Sequence, residues 1–136
     1  SLIGSGLINC TRGWMSAIGN GCCNLAAGCC SFVGNGELNR ACADLSGIVT
    51  GKFNTICSTA VSSSILGGYG NVTTHTNTFI IGSRITSNAA DTAYVNNLTV
   101  SGSGNTVVML ANLPTSDPTN AGQLWNDSGT LKISAG

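Results

Sequence analysis

The chain has 136 residues, only 7% of them charged, and its formal net charge at pH 7 is zero. So few charges exclude a disordered, solvated chain, and no basic surface is available for binding nucleic acid. Nineteen glycines, two prolines and few aromatic residues favour short strands joined by many turns, hence an all-β fold. No signal peptide is visible, and no apolar run approaches the roughly 18 residues of a membrane span, so we expect no membrane insertion.

A repeat of 15 residues occupies residues 1–86, which we predict to form a shaft of about six rungs. Its unit reads Ser-x-Ile/Val-x-x-Gly-x-x-Asn followed by six further residues, and one unit has 17. The apolar column consists of Ile3, Ile18, Val33, Ile48 and Ile65. The glycine column consists of Gly6, Gly21, Gly36, Gly51 and Gly68, and the asparagine column of Asn9, Asn24, Asn39, Asn54 and Asn71. A degenerate sixth unit follows with Asn77, Phe79 and Gly82, and Ile85 replaces the asparagine.

Each column has a structural interpretation. A recurring Ile or Val predicts a stacked apolar ladder, which further columns support. These are Ile8, Cys23, Leu38 and Phe53, and then Met15, Cys30 and Leu45. The glycines indicate turns or close backbone approach, and stacked asparagines can form a side-chain ladder. At about 3.3 Å per residue, 15 residues supply two short strands and two turns, as in one rung of a β-solenoid, β-roll or triple β-helix. Whether strands wrap within one chain or interlock between three stays open at this point.

The repeat ends before the C-terminal third of the chain. We predict a neck or transition strand in residues 87–104 and a separate segment in residues 105–136. That segment should contain a buried strand at 107–110, a loop at 114–122 and a β-hairpin that turns near Gly129. Trp125 is expected to anchor the packing of the hairpin, and contact with a ligand is the alternative.

Residues able to carry chemistry are few. Seven cysteines stand at positions 10, 22, 23, 29, 30, 42 and 57 without the spacing of a zinc site. We expect them to be small buried apolar residues in a reducing cytoplasm, with interchain or inter-rung disulfides as the main alternative and a metal cluster as a further one. His75 is expected to be polar or packed, and Glu37 and Asp44 to be solvated. We therefore predict no catalytic residue, no metal site, no cofactor and no enzymatic activity.

The segment Ser-Phe-Val-Gly-Asn-Gly-Glu-Leu-Asn-Arg-Ala at 31–41 resembles the Ser-Phe-Val/Ile-Gly-Gly-Gly-x-x-Asn-x-Ala repeat of phage and viral fibre proteins. It resembles, more loosely, the head repeats of trimeric autotransporter adhesins. Residues 77–83 and 94–100 are similar to the segment that ends such arrays in viral fibres. Residues 113–118 and 122–133 are similar to C-terminal segments of phage structural proteins. The chain departs from the family after the asparagine, where cysteines stand in place of the usual Thr-Ala-Ser.

The resemblance implies a homotrimeric, rigid virion shaft of a phage tail or capsid fibre, assembled in the host cytoplasm beside other virion proteins. Such a shaft would present an element that attaches to a host-surface glycan or protein. Contacts with a host would fall in 105–136, where Trp125 is a candidate, or at variable rung positions. Those positions are Leu7, Cys22, Glu37, Lys52 and Tyr69. The alternatives are a bacterial trimeric adhesin or self-assembling surface filament at the cell surface, and a glycan-cleaving tailspike fragment.

Overall fold

The computed structural model describes residues 1–101, 104 and 108–136. The described residues form β-strands and turns and contain no helix. The chain divides into two compact units, Ser1–Leu98 and Thr99–Gly136, and each is described by itself.

The first unit contains two parallel sheets, which alternate along the chain. The first sheet consists of β1 (Leu2–Ile3), β3 (Ala17–Ile18), β5 (Phe32–Val33), β7 (Gly47–Ile48), β9 (Ser64–Gly67), β11 (Phe79–Ile81) and β12 (Ala93–Val95), in that order. The second consists of β2 (Cys10–Thr11), β4 (Leu25–Ala26), β6 (Arg40–Ala41), β8 (Thr55–Ile56) and β10 (Val72–Thr73). Successive strands of a sheet belong to successive repeats, so the chain winds on itself as a β-solenoid of about six turns. The predicted all-β stacked repeat is therefore confirmed, and the winding is within one chain.

The register follows the repeat. Ile3 pairs with Ile18, and Val33 pairs with Ile48, so equal positions of neighbouring coils lie side by side. The longer coil keeps this register, because Ile48 pairs with Ile65 although 17 residues separate them. Its two extra residues lie between Ile56, which pairs with Ala41, and Ser62, whose N–H donates to the carbonyl of Asp44. The insertion therefore lies in a turn between the two sheets, and the strand pairing of both sheets continues on either side of it.

The sixth coil corrects one assignment made from the sequence. Ile80, rather than Phe79, pairs with Ile65 and is fully buried, whereas Phe79 is 40% exposed. The register shifts after Ile80, because one residue is missing before Gly82, and a fixed period cannot reveal where that deletion falls. The first sheet also extends past residue 86, since β12 pairs with β11 and sets Tyr94 beside Ile80.

The interior of the solenoid is a stack of identical positions. Ile18, Val33, Ile48, Ile65 and Ile80 are all completely buried, as are Ala26, Ala41 and Ile56 from the second sheet. The glycine column permits this tight stacking. A Cβ added to Gly36, whose φ is +117°, would lie 2.0 Å from the carbonyl oxygen of Gly51. Only glycine satisfies both the backbone conformation and this approach.

A ladder of asparagine side chains runs along the interior. The Oδ1 of Asn39 accepts hydrogen bonds from the backbone N–H and the Nδ2 of Asn54, both at 3.1 Å. Its Nδ2 donates to the carbonyl of Gly51 at 2.7 Å. The same pattern joins Asn9 to Asn24 and Asn54 to Asn71. Each amide thus satisfies the buried backbone of the next coil, which is why this polar column can occupy the core.

The second unit contains an antiparallel pair, β13 (Leu124–Asp127) and β14 (Thr130–Ile133). Ser128 and Gly129, with φ values of 52° and 94°, form the two-residue turn between them. The strand predicted at 107–110 is not found at 108–110, and residue 107 lies outside the described residues. Val108, Met109 and Leu110 are exposed, so the burial expected for them is absent as well.

Candidate functional site

Every complete coil turns two corners at which a residue adopts the left-handed backbone conformation. At the first corner, Ile8, Cys23, Leu38 and Phe53 have φ values between 54° and 59°. At the second corner, Met15, Cys30, Leu45 and Ser62 have φ values between 53° and 58°. We call first corner the positions Leu7–Ile8, Cys22–Cys23, Glu37–Leu38, Lys52–Phe53 and Tyr69–Gly70. We call second corner the positions Trp14–Met15, Cys29–Cys30, Asp44–Leu45, Val61–Ser62 and Thr76–Asn77.

Backbone hydrogen bonds between coils hold both corners. The N–H of Leu38 donates to the carbonyl of Cys22 at 3.0 Å, and the N–H of Leu45 donates to the carbonyl of Cys29 at 2.9 Å. Left-handed conformation costs a residue other than glycine about 1–2 kcal/mol. These side chains are held outward at that cost, so the prediction that their columns support the apolar ladder is wrong.

At the second corner, the residue with the left-handed conformation is apolar in the first three coils and polar in the later ones. Trp14, Met15 and Leu45 are exposed by 74%, 61% and 63%. The equivalents of Met15 in the later coils are Ser62, Asn77 and Asp91, all three with a similar positive φ. The sequence does contain a signal for this orientation. Polar residues in the Met15 column indicate that the column faces solvent, because core positions are rarely polar.

The first corner combines charges with aromatic rings. Lys52 forms an ion pair of 2.8 Å with Glu37, and the hydrogen bond that its ammonium donates to this carboxylate raises the pKa of Lys52. The ammonium also lies 5.1 Å from the centre of the Phe53 ring, which meets Tyr69 edge-on at 5.7 Å. Arg84 lies 5.9 Å from the Tyr69 ring. Bridges between neighbouring coils join all five variable positions, Leu7, Cys22, Glu37, Lys52 and Tyr69, and Tyr69 remains 46% exposed.

The cysteines do not behave as the sequence suggested. All seven lie in the described part of the chain as free thiols; five are half-buried, and Cys29 and Cys30 are exposed. The expectation of buried apolar cysteines is therefore wrong, because Cys22, Cys23, Cys29 and Cys30 fall at corners, whereas Cys10 lies in β2 and Cys42 and Cys57 directly follow β6 and β8. Cys22 and Cys23 contact each other with their Sγ atoms 3.2 Å apart. That contact, followed by desolvation, raises the pKa of Cys22.

The remaining candidate residues do not assemble into one site. The Nδ1 of His75 lies 2.9 Å from the hydroxyl of Ser87 and 3.0 Å from that of Thr74. Within the described ranges, no group of three or more His, Cys, Asp or Glu side chains is placed to hold a metal ion. In the second unit, Lys132 lies 5.3 Å from the centre of the Trp125 ring, whose Nε1 is buried without a hydrogen-bond partner among the described residues.

The second unit also contains an open cavity of about 500 Å³. Its lining consists of Val108, Leu110, Asn112, Leu113, Asn126, Gly129 and Leu131, and Trp125 is not among these residues.

Comparison with known proteins adds no identification. No family model, curated protein or solved structure matches this chain. In the parts of the chain that the structure describes, no helix has the length and apolar character needed to cross a membrane. The relation to phage and viral fibre proteins stays a prediction from the sequence.

Proposed function

We propose that this chain is a structural, non-catalytic segment of a virion fibre, in which three copies form a rigid shaft. The observation that carries this proposal is the second corner, where Trp14, Met15 and Leu45 expose most of their apolar surface to water. In a single chain this surface is exposed to water. Three associated chains would cover it and would form the shaft that carries a host-facing element. The second unit is the place where such an element would act.

Energetics support an assembled form. Burying a side chain such as Leu or Met contributes about 1.5–3 kcal/mol, so covering the exposed part of each contributes roughly 1–2 kcal/mol. Met15 and Leu45 also carry the cost of a left-handed backbone, with φ values of 55° and 53°. A partner that covers them would give these otherwise unfavourable residues a stabilising role.

Geometry favours further copies of the same chain as that partner. Neighbouring coils of a parallel sheet are about 4.8 Å apart, so the second-corner column repeats at that spacing along the solenoid. Another copy in the same orientation carries an identical column with an identical spacing. Corresponding coils can therefore meet at the same height along the shaft. Placement in a virion is supported by the resemblance of residues 31–41 and of the C-terminal segment to fibre proteins.

The oligomeric state tests the trimeric part of the proposal. Light scattering should give about 41 kDa for three copies of the 13.6 kDa chain. Leu45→Asn should shift this toward the monomer, because each of three chains loses about 1–2 kcal/mol of apolar burial, which lowers the association constant at least 100-fold. Asparagine tolerates the left-handed conformation, so the fold of each chain should be preserved.

Ser62→Asn is the matched control, since Ser62 occupies the same corner of the next coil with a φ of 58° and is already polar. It should leave the mass distribution unchanged. A wild-type chain that stays at 13.6 kDa at every concentration would contradict the proposal, as would equal behaviour of the two variants. Placement in a virion is tested by mass spectrometry of purified particles, in which the chain must be found.

A further inference from the structure

We infer that Cys22 and Cys23 form a dithiol site that binds one trivalent organic arsenical, or another trivalent metalloid of the same geometry, through both sulfur atoms. The site lies at the first corner and involves none of the second-corner residues. The inference is therefore independent of the proposed trimer.

The backbone brings the two thiols together. In an extended strand, neighbouring side chains point to opposite faces. Here the two Sγ atoms lie 3.2 Å apart at a corner where Cys23 has a φ of 59°. Cys30 has a similar φ of 55°, but Cys29 and Cys30 are exposed whereas Cys22 and Cys23 are half-buried, so the contact depends on the surroundings of this corner as well as on its backbone. The N–H of Cys22 donates to the carbonyl of Gly36 and that of Cys23 to the carbonyl of Leu7, both at 2.9 Å. Hydrogen bonds to the two neighbouring coils thus fix the backbone that holds the pair.

The same restraints disfavour a disulfide between the two cysteines. A disulfide needs a sulfur–sulfur distance of about 2.05 Å and a Cα–Cα distance of at least about 4.4 Å, whereas neighbouring Cα atoms are about 3.8 Å apart. Closing the bond would distort a backbone that is held from both sides. The pair is therefore suited to bridging a third atom.

The sulfur separation favours a pyramidal ligand. Bonds to sulfur of about 2.3 Å, as in zinc thiolates, separate two sulfurs by about 3.8 Å at the tetrahedral angle and by about 3.3 Å at a right angle. The observed 3.2 Å corresponds to the second case, which is the geometry of trivalent arsenic. Zinc would also need two further ligands, and the described residues offer no group of three.

The binding reaction is balanced without an oxidant. With phenylarsine oxide, two S–H bonds and the arsenic–oxygen bond break, two arsenic–sulfur bonds form, and the oxygen leaves as water with both thiol protons. Cys23 follows Ile8 and precedes Leu38 in the first-corner column, so its surroundings favour an organic substituent on the arsenic.

The experiment uses the full, reduced chain and one equivalent of phenylarsine oxide. Mass spectrometry should show one adduct per chain, mapped to Cys22 and Cys23 after alkylation of the remaining thiols. Cys22→Ser should abolish this adduct, because a single thiol lacks the second arsenic–sulfur bond. Cys29→Ser is the matched control, since Cys29–Cys30 is the same dipeptide with a φ of 55° at its second residue. It should retain the adduct.

Two further experiments test whether the preference for Cys22–Cys23 comes from the folded structure and not from the general reactivity of cysteine. In urea, the preference for Cys22–Cys23 over Cys29–Cys30 should disappear, because the unfolded chain no longer fixes either pair. In the Leu45→Asn chain the preference should persist, which excludes shielding of Cys29–Cys30 by partner chains as its cause. The inference is overturned if Cys22→Ser binds as the wild type does, or if folded chains carry the adduct equally on both pairs.

Discussion

Removing one member of the asparagine ladder tests how the solenoid satisfies its polar interior. Asn39 is completely buried, and in Asn39→Ala the backbone N–H of Asn54 loses the acceptor that it contacts at 3.1 Å. The same change removes the hydrogen bond from the amide of Asn39 to the carbonyl of Gly51. The Nδ2 of Asn54 keeps its other acceptor, the carbonyl of Gly68 at 2.9 Å.

These losses set the expected magnitude. A buried N–H without a partner costs about 1–3 kcal/mol, and each further hydrogen bond contributes about 0.5–1.5 kcal/mol. Asn39→Ala should therefore lower the unfolding free energy by about 2–6 kcal/mol. With a urea m-value of about 1–3 kcal/mol/M, the midpoint should fall by at least about 0.7 M.

Urea unfolding followed by circular dichroism measures this effect, and Asn35→Ala is its control. The Oδ1 of Asn35 also accepts a backbone hydrogen bond, from Gly36 at 2.7 Å, but this residue is exposed and water can replace it. We expect the unfolding free energy of Asn35→Ala to differ from that of the wild type by no more than about 0.5 kcal/mol. If the two variants unfold at the same urea concentration, the buried ladder does not stabilise the stack in the way argued above.

Three other predictions concern the backbone, the core and the second unit. Gly36→Ala should prevent folding, since the new Cβ would lie 2.0 Å from a carbonyl oxygen, whereas Gly70→Ala meets open space and should cost about 1–2 kcal/mol, as thermal unfolding can show. Ile48→Ala empties a fully buried position and should lower the unfolding free energy by about 2–5 kcal/mol in urea titration. The hydroxyl of Ser134, and then a backbone N–H, lower the pKa of Asp117. Stability from this carboxylate is therefore present above the unfolded pKa of about 3.9 and is lost as the pH falls through the lower folded value, and Ser134→Ala should raise the pKa measured by NMR titration.

The sequence was sufficient to predict the stacked all-β repeat, because Ile18, Gly21 and Asn24 each recur at one period and each has a distinct role in a stack. It could not distinguish inward from outward columns. Ile3 and Ile8 recur with the same period, yet Ile8 turns outward because its φ is positive, a property that follows from the hydrogen bonds between coils. The approach of the Cys22 and Cys23 sulfurs was missed as well, because it depends on this corner conformation together with the half-buried surroundings of the pair.

Local irregularities were beyond the pattern for a different reason. The missing residue after Ile80 shifts the register inside one strand pair, and only pairing with Ile65 shows which residue enters the core. The strand expected at 107–110 was inferred from an apolar run, but burial depends on a partner surface, and the described residues of that run are exposed. Apolar character alone does not supply such a surface.

The corner that accommodates the longer coil has a consequence for how such a chain can evolve. Since each coil forms its ladders with the coils immediately before and after it, duplicating or deleting one whole unit would leave every junction chemically unchanged. Each event would alter the axial length by about 4.8 Å. The length of the solenoid can therefore change in small genetic steps. Insertions that vary the surface can accumulate at the corners without disturbing the stack.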